Sequence, residues 1–278
     1  MVTENPRHAR VNGAARSAYE LTMDEVAQWA SHFGVAEDQI RHDFVISHLL
    51  AAVAKCGDKV VFYGGTALSR TFLPDLRLSE DIDLLSVGPR RSVAPLLDEV
   101  IRSSLESGFG PVTADPWLAK VRRDTEACVF HIGEVDVKVQ LIDGSDYTSW
   151  PTQSSVIDLR YHSMNDVTMT TLTAGGFVCA KTSAWSEPTR NAPRDLYDLW
   201  ALAQRGYIDT DAARLFKQRG PTGAYPHRWL IPSKPPTEDS WQAALRHQCL
   251  PQVSAEDAFL AVVAAWREAV EQVSGEEF

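Results

Sequence analysis

The run Val60-Val61-Phe62-Tyr63-Gly64-Gly65-Thr66 narrows the possible folds more than any other stretch of this 278-residue chain. Four β-branched or aromatic residues in a row read as a short buried strand, and the two glycines end it in a tight turn. Residues 66–72 then read as a helix. Where a strand meets a helix across bare glycine backbone, main-chain N–H groups stay open to an anion, so the unit can cradle phosphate. A Gly-Gly pair alone is a weak signal, and its neighbours must decide.

Upstream, Thr22 and Glu25 form a capping box that opens a helix running to about residue 33, with Gly34 as its stop. Residues 37–56 carry Ile40, Phe44, Leu49, Val53 and Cys56 on one stripe and read as a second helix. Downstream, 78–85 reads as a strand and 92–107 as a helix. Residues 125–132 and 134–141 read as a hairpin about Gly133, and 156–161 as an edge strand. After about residue 164 the pattern turns helical, with expected helices at 172–185, 194–205, 210–217, 239–248 and 254–273, the last opened by Ser254. Residues 219–236 are a Pro/Gly-rich loop. The organisation is α+β: a polar tail over 1–20, a mixed sheet with helices over 21–165, and a mainly helical lobe over 166–278.

In an extended 78–85 segment, Ser79, Asp81 and Asp83 share one face. Two carboxylates so placed repel each other unless a cation intervenes, and all-oxygen ligation suits Mg²⁺. Taken alone, Asp-x-Asp reads sooner as a pair of solvated edge-strand acids. A third acid, Asp136, interrupts the apolar run Val135 to Val137. Three acids beside a glycine turn fit a two-metal nucleotide site.

These residues carry a family resemblance. Gly64-Gly65-Thr66-Ala67-Leu68-Ser69-Arg70 followed by Arg77-Leu78-Ser79-Glu80-Asp81-Ile82-Asp83-Leu84 resembles the first motif of the AbiEii/AbiGii and MenT nucleotidyltransferase toxins, within the DNA polymerase beta-like superfamily. Lys181, then Arg190 and Arg194-Asp195-Leu196-Tyr197-Asp198-Leu199, resemble the remaining motifs, and the likeness runs from about Ile40 to Leu202. It implies a bilobed polymerase beta-like core. Gly64, Gly65 and Thr66 would hold nucleotide phosphates with support from Ser79. Asp81 and Asp83 would bind metal, with Asp136 as a third carboxylate that helps deprotonate the acceptor. Lys181 would neutralise triphosphate charge with Arg194 nearby, and Asp195, or alternatively Asp198, would orient these cations. The implied cofactor is Mg²⁺, or Mn²⁺, and the implied substrate an NTP, with CTP or another pyrimidine nucleotide first. The implied reaction moves a nucleoside monophosphate to the 3′ end of tRNA and stops translation, and the implied partners are the tRNA acceptor end and a cognate antitoxin.

Composition limits how such a chain meets RNA. With 27 Lys+Arg against 37 Asp+Glu the formal charge is -10, so phosphate contacts must be focal. Lys120, Arg122 and Arg123 are one candidate patch, and Arg219, Tyr225, His227, Arg228, Trp229 and Lys234 are another, where cations alternate with rings suited to stacking. The competing reading of the second patch is a Pro-rich connector anchored by aromatics. The longest apolar stretches, 44–54 and 258–266, fall short of the roughly 18 residues of a spanning helix, and the polar start offers no signal core. A cytoplasmic, membrane-free protein is expected. Cys56, Cys128, Cys179 and Cys249 show no metal spacing and read as buried thiols. Two further functions stay open: transfer to a small molecule or protein hydroxyl, and a non-catalytic nucleotide- or RNA-binding module.

Overall fold

A computed structural model describes residues 19–123, 126–147, 149–187, 193–275 and 278. The expected tail over 1–20 therefore lies almost wholly outside the described residues, as does Arg190. Helix α1 (Met23–Phe33) begins where the Thr22 hydroxyl accepts from Glu25 N and ends at Gly34, whose φ of 69° is left-handed. Helix α2 (Glu37–Val53) is shorter than expected, because a 3-10 segment over Ala54–Lys59 takes over and turns at Gly57, φ 60°. Strand β1 (Val60–Tyr63) is fully buried, and helix α3 (Gly64–Ser69) follows it directly. Strand β2 (Asp81–Ser86) starts later than the expected 78, so Ser79 precedes the strand.

Helix α4 (Arg90–Phe109) is followed by strands β3 (Val112–Asp115), β4 (Cys128–Ile132), β5 (Val135–Asp143), β6 (Thr152–Ile157) and β7 (Val167–Leu172). The β4–β5 hairpin turns at Gly133 as expected, with Ile132 opposite Val135. Two strands were not foreseen. One is β3, an edge strand of four residues. The other is β7, where Val167, Thr168, Thr170 and Thr171 supply the β-branched content of a strand at the point where helix was expected. It pairs in parallel with β1, and the first compact unit takes in residues up to Tyr147 and again Gln153–Thr171, while Thr148–Thr152 belong to the second.

The strands form one mixed sheet in the order β3-β4-β5-β2-β1-β7-β6. Ile82, Leu84, Val137, Val139, Leu141, Cys128, Phe130 and Ile132 share its buried face, on which α2 and α4 pack against β5. A second cluster joins α1 and α2 through Val26, Trp29, Phe33, Ile40, Phe44 and Tyr161. Period-two alternation therefore commits the other face of β2 and β5 to Asp81, Asp83, Asp136, Lys138 and Gln140.

The second compact unit holds helices α5 (Ala174–Trp185), α6 (Pro193–Gln204), α7 (Thr210–Arg219), α8 (Glu238–Leu245) and α9 (Ala255–Ser274). Its core includes Phe177, Leu196, Leu199, Phe216, Trp241 and Trp266. Thr173, Asp209, Thr237 and Ser254 cap four of these helices with side-chain oxygens. All four cysteines are buried thiols. No helix among the described residues is long and apolar enough to cross a membrane.

Candidate functional site

In the first unit the glycine turn, Ser79 and the β2 acids come together. Gly64 has φ 79°, and a Cβ there would collide with the Asp83 carboxylate, so only glycine lets the backbone lie against that acid. A Cβ on Gly65 would sit 3.0 Å from Arg77 Nη2 and 3.1 Å from Ser79 Oγ. The Thr66 hydroxyl, 1% exposed, shares a 2.9 Å hydrogen bond with Ser79 Oγ and donates to the Asp81 carbonyl. Because α3 has only six residues, an anion at this turn would rest on the local glycine backbone and hydroxyls more than on a helix macrodipole.

Asp81 is exposed and Asp83 half-buried on one face of β2. Register sets Lys138 opposite Asp81, Gln140 opposite Asp83, and Tyr63 opposite Asp83 from the other side. Burial, with the Asp83 and Tyr147 charges, pushes the Tyr63 phenol well above its ordinary pKa, and its ring lies 5.0 Å from that of Tyr147. Asp136, on the same face of β5, has its Oδ1 2.6 Å from His131 Nδ1 and its carbonyl 3.0 Å from His42 Nε2. Among the described residues no group of three His, Cys, Asp or Glu side chains is placed to hold a metal. The Asp81 and Asp83 pair fits Mg²⁺. It is an oxygen-only donor set beside a cradle that a Cβ would fill, and Mg²⁺ commonly takes one or two carboxylates plus substrate phosphate rather than a full protein cage.

In the second unit Lys181, on α5, is 8% exposed, and its Nζ lies 2.8 Å from Asp195 Oδ1 and 2.7 Å from Asp198 Oδ2, both on α6. The two orienting acids of the sequence reading thus both hold the lysine, while Arg194 is exposed. Of the expected RNA contacts, Lys120, Arg122 and Arg123 are exposed. Arg228 instead donates to the carbonyls of Ile231, Pro232 and Ser233 and braces its own loop, leaving Trp229 67% exposed. Arg219 is likewise used within its own unit, donating to the Ser149 carbonyl, and Lys217 lies 4.4 Å from the centre of the Tyr225 ring.

A buried charge network escaped the sequence reading. Asp43 Oδ1 accepts from Arg70 at 2.9 Å and from Arg160 at 2.8 Å, and Oδ2 accepts from Tyr161 at 3.0 Å. Arg160 also donates to the Ser69 carbonyl at the end of α3, with its backbone held at φ 65°. Only Arg70 stood in a recognised motif; Asp43 and Arg160 lie 117 residues apart, with no sequence signal to join them.

A family model described as the nucleotidyl transferase AbiEii toxin of type IV toxin–antitoxin systems matches residues 48–272. The nucleotidyltransferase toxin MenT4 from Mycobacterium tuberculosis H37Rv shares the fold at 19% identity, with a TM-score of 0.60 and 89% of each chain covered. JHP933 from Helicobacter pylori does so at 16% identity and a TM-score of 0.52, covering 87% of this chain and 95% of its own. No curated protein sequence matches the chain.

Proposed function

Since the chain belongs to the AbiEii family of nucleotidyl transferase toxins, we propose that it is a Mg²⁺-dependent enzyme that transfers a nucleoside monophosphate from an NTP to the 3′ hydroxyl of tRNA. The observation that carries this reading is the collision a Gly64 side chain would make with Asp83, which sets bare backbone against a metal-binding acid. Asp81 and Asp83 would hold the metal, which when bound supplies charge neutralisation at the α-phosphate and acidifies the attacking hydroxyl. Gly64 and Gly65 admit the phosphates to the backbone, and Thr66 fixes Ser79 beside them. The acceptor hydroxyl gives up its proton, with Asp136 as the carboxylate that would help take it, its oxygen attacks the α-phosphorus in line, the bond to the β-phosphate oxygen breaks, and pyrophosphate leaves without a covalent enzyme intermediate.

Within the second unit, Asp195 and Asp198 orient Lys181, the cation assigned to triphosphate charge. Exposed Arg122, Arg123 and Trp229 are the candidate tRNA contacts, and Arg228 shapes the loop that presents Trp229. CTP or another pyrimidine nucleotide is the first substrate to try, and the family places a cognate antitoxin beside the toxin. The test mixes protein, Mg²⁺ and total tRNA with each α-labelled NTP, alongside Asp81→Ala. Label in tRNA that vanishes with Asp81→Ala supports the reading. Label only in protein or small molecules keeps the nucleotidyltransferase and overturns the acceptor, and no label anywhere overturns catalysis.

A further inference from the structure

We propose that Arg77 and Gln248 act as a positioning pair that sets the nucleotide cradle from the far end of the chain. The inference rests on the reading of Gly64, Gly65 and Ser79 as that cradle. Arg77 is 3% exposed and Gln248 2% exposed. Arg77 Nη1 donates to Gln248 Oε1 at 2.7 Å across 171 residues of sequence, and to the Leu78 carbonyl at 2.9 Å. The Gln248 carbonyl accepts from Leu78 N at 2.9 Å, so this one glutamine engages both the arginine and the backbone that leads into Ser79. Residues His247–Cys249 belong by their contacts to the first unit, although α8 before them and Leu250 after them belong to the second.

The other end of the guanidinium faces the turn. Arg77 Nη2 and Ser79 Oγ lie 3.0 and 3.1 Å from where a Gly65 side chain would begin, so both groups line the same wall of backbone. A guanidinium presents its donors in a rigid planar fork, and fixing Nη1 therefore fixes Nη2. Gln248 provides the acceptor that fixes Nη1 and adds no charge. The arrangement makes the first motif incomplete without a segment that lies far outside it.

The test measures binding of each of the four NTPs, with Mg²⁺ and no acceptor, by calorimetry on the full chain. Gln248→Met keeps the volume and removes the acceptor, and Gly65→Ala presses on Arg77 and Ser79. Each change is expected to weaken binding roughly tenfold, and because both act through Arg77 the double variant should lose far less than the hundredfold product. In turnover, Gln248→Met should raise KM and leave kcat nearly unchanged. Arg77→Lys, which keeps charge without the fork, covers the case in which Gln248→Met fails to fold and should also bind roughly tenfold more weakly. Multiplicative losses in the double variant, or wild-type binding by Gln248→Met or Arg77→Lys, would overturn the pair. A wild-type chain that binds no NTP would overturn the cradle itself, and the pair with it.

Discussion

The acids of the two units are kept in opposite ways. Asp81 stands in solvent on the open face of the sheet, whereas Asp195 and Asp198 are 3% and 2% exposed and close on Lys181. A carboxylate in water carries no desolvation penalty and needs no protein partner, which is what the proposed metal role of Asp81 requires. Buried carboxylates must be paired, because desolvation otherwise penalises their charge. The second unit thus spends its acids on fixing one lysine, and the first leaves an acid open. A third arrangement marks the limit of burial: Asp43 serves two buried guanidiniums and a phenol, and it ties α2 to the end of α3.

Breaking the compensated networks should cost most. Asp43→Asn leaves Arg70 and Arg160 buried without their carboxylate, and about 3–5 kcal/mol of stability should go, seen as a melting temperature lower by on the order of 10 °C. Burial alone would raise the Asp43 pKa, but Arg160, Arg70 and the Tyr161 hydrogen bond more than offset it, and the net direction is down. A depressed carboxylate stabilises fully above its unfolded pKa of about 3.9 and loses that stability as pH falls through the lower folded value. The gap between wild type and Asp43→Asn should therefore be constant at neutral pH and shrink only below about pH 4 in denaturant titrations. Lys181→Met leaves two buried acids facing each other, and a loss of up to about 3–5 kcal/mol is expected at neutral pH. Wild-type melting in that variant would show that the pairs contribute nothing to the fold.

Gly64→Ala sharpens the comparison from the open side. It forces a side chain into a left-handed backbone, at about 1–2 kcal/mol, and against Asp83. A modest drop in melting temperature should accompany loss of transfer, whereas full activity would remove the close approach of backbone and acid from the account.

What was readable in the sequence follows the range of the interaction. Caps at Thr22 and Ser254, the β1 strand with its glycines and the Gly133 hairpin all act within a few residues, and each stands where its residues put it. The α+β class and the helical second unit followed from the same local patterns. Strand β7 was read as the approach to a helix because its sheet partner is β1, more than 100 residues earlier, and pairing rather than propensity decides a central strand. Lys181 with Asp195 or Asp198 was legible only through the family resemblance, and both acids reach the lysine. Asp43 with Arg160, and Arg77 with Gln248, were not, since tertiary contact alone makes them pairs. The contact of Asp136 with its cross-strand neighbour His131 was equally invisible, because it too depends on strand pairing.

The smallest stability effect belongs to the residue with the largest expected role in transfer. Asp81→Asn removes an exposed charge two residues from Asp83 on one strand face, so stability should stay within about 0.5 kcal/mol of wild type, and any change should be a gain from relieved repulsion. Transfer should fall by on the order of 10²–10³, the scale of losing one preorganised electrostatic contact to a transition state. Measured side by side, Asp81→Asn and Lys181→Met separate the two ways of keeping an acid: one loses chemistry at constant melting temperature, the other loses the fold first. A large melting loss for Asp81→Asn would place that acid among the structural ones and leave the first unit without an open carboxylate to offer a metal.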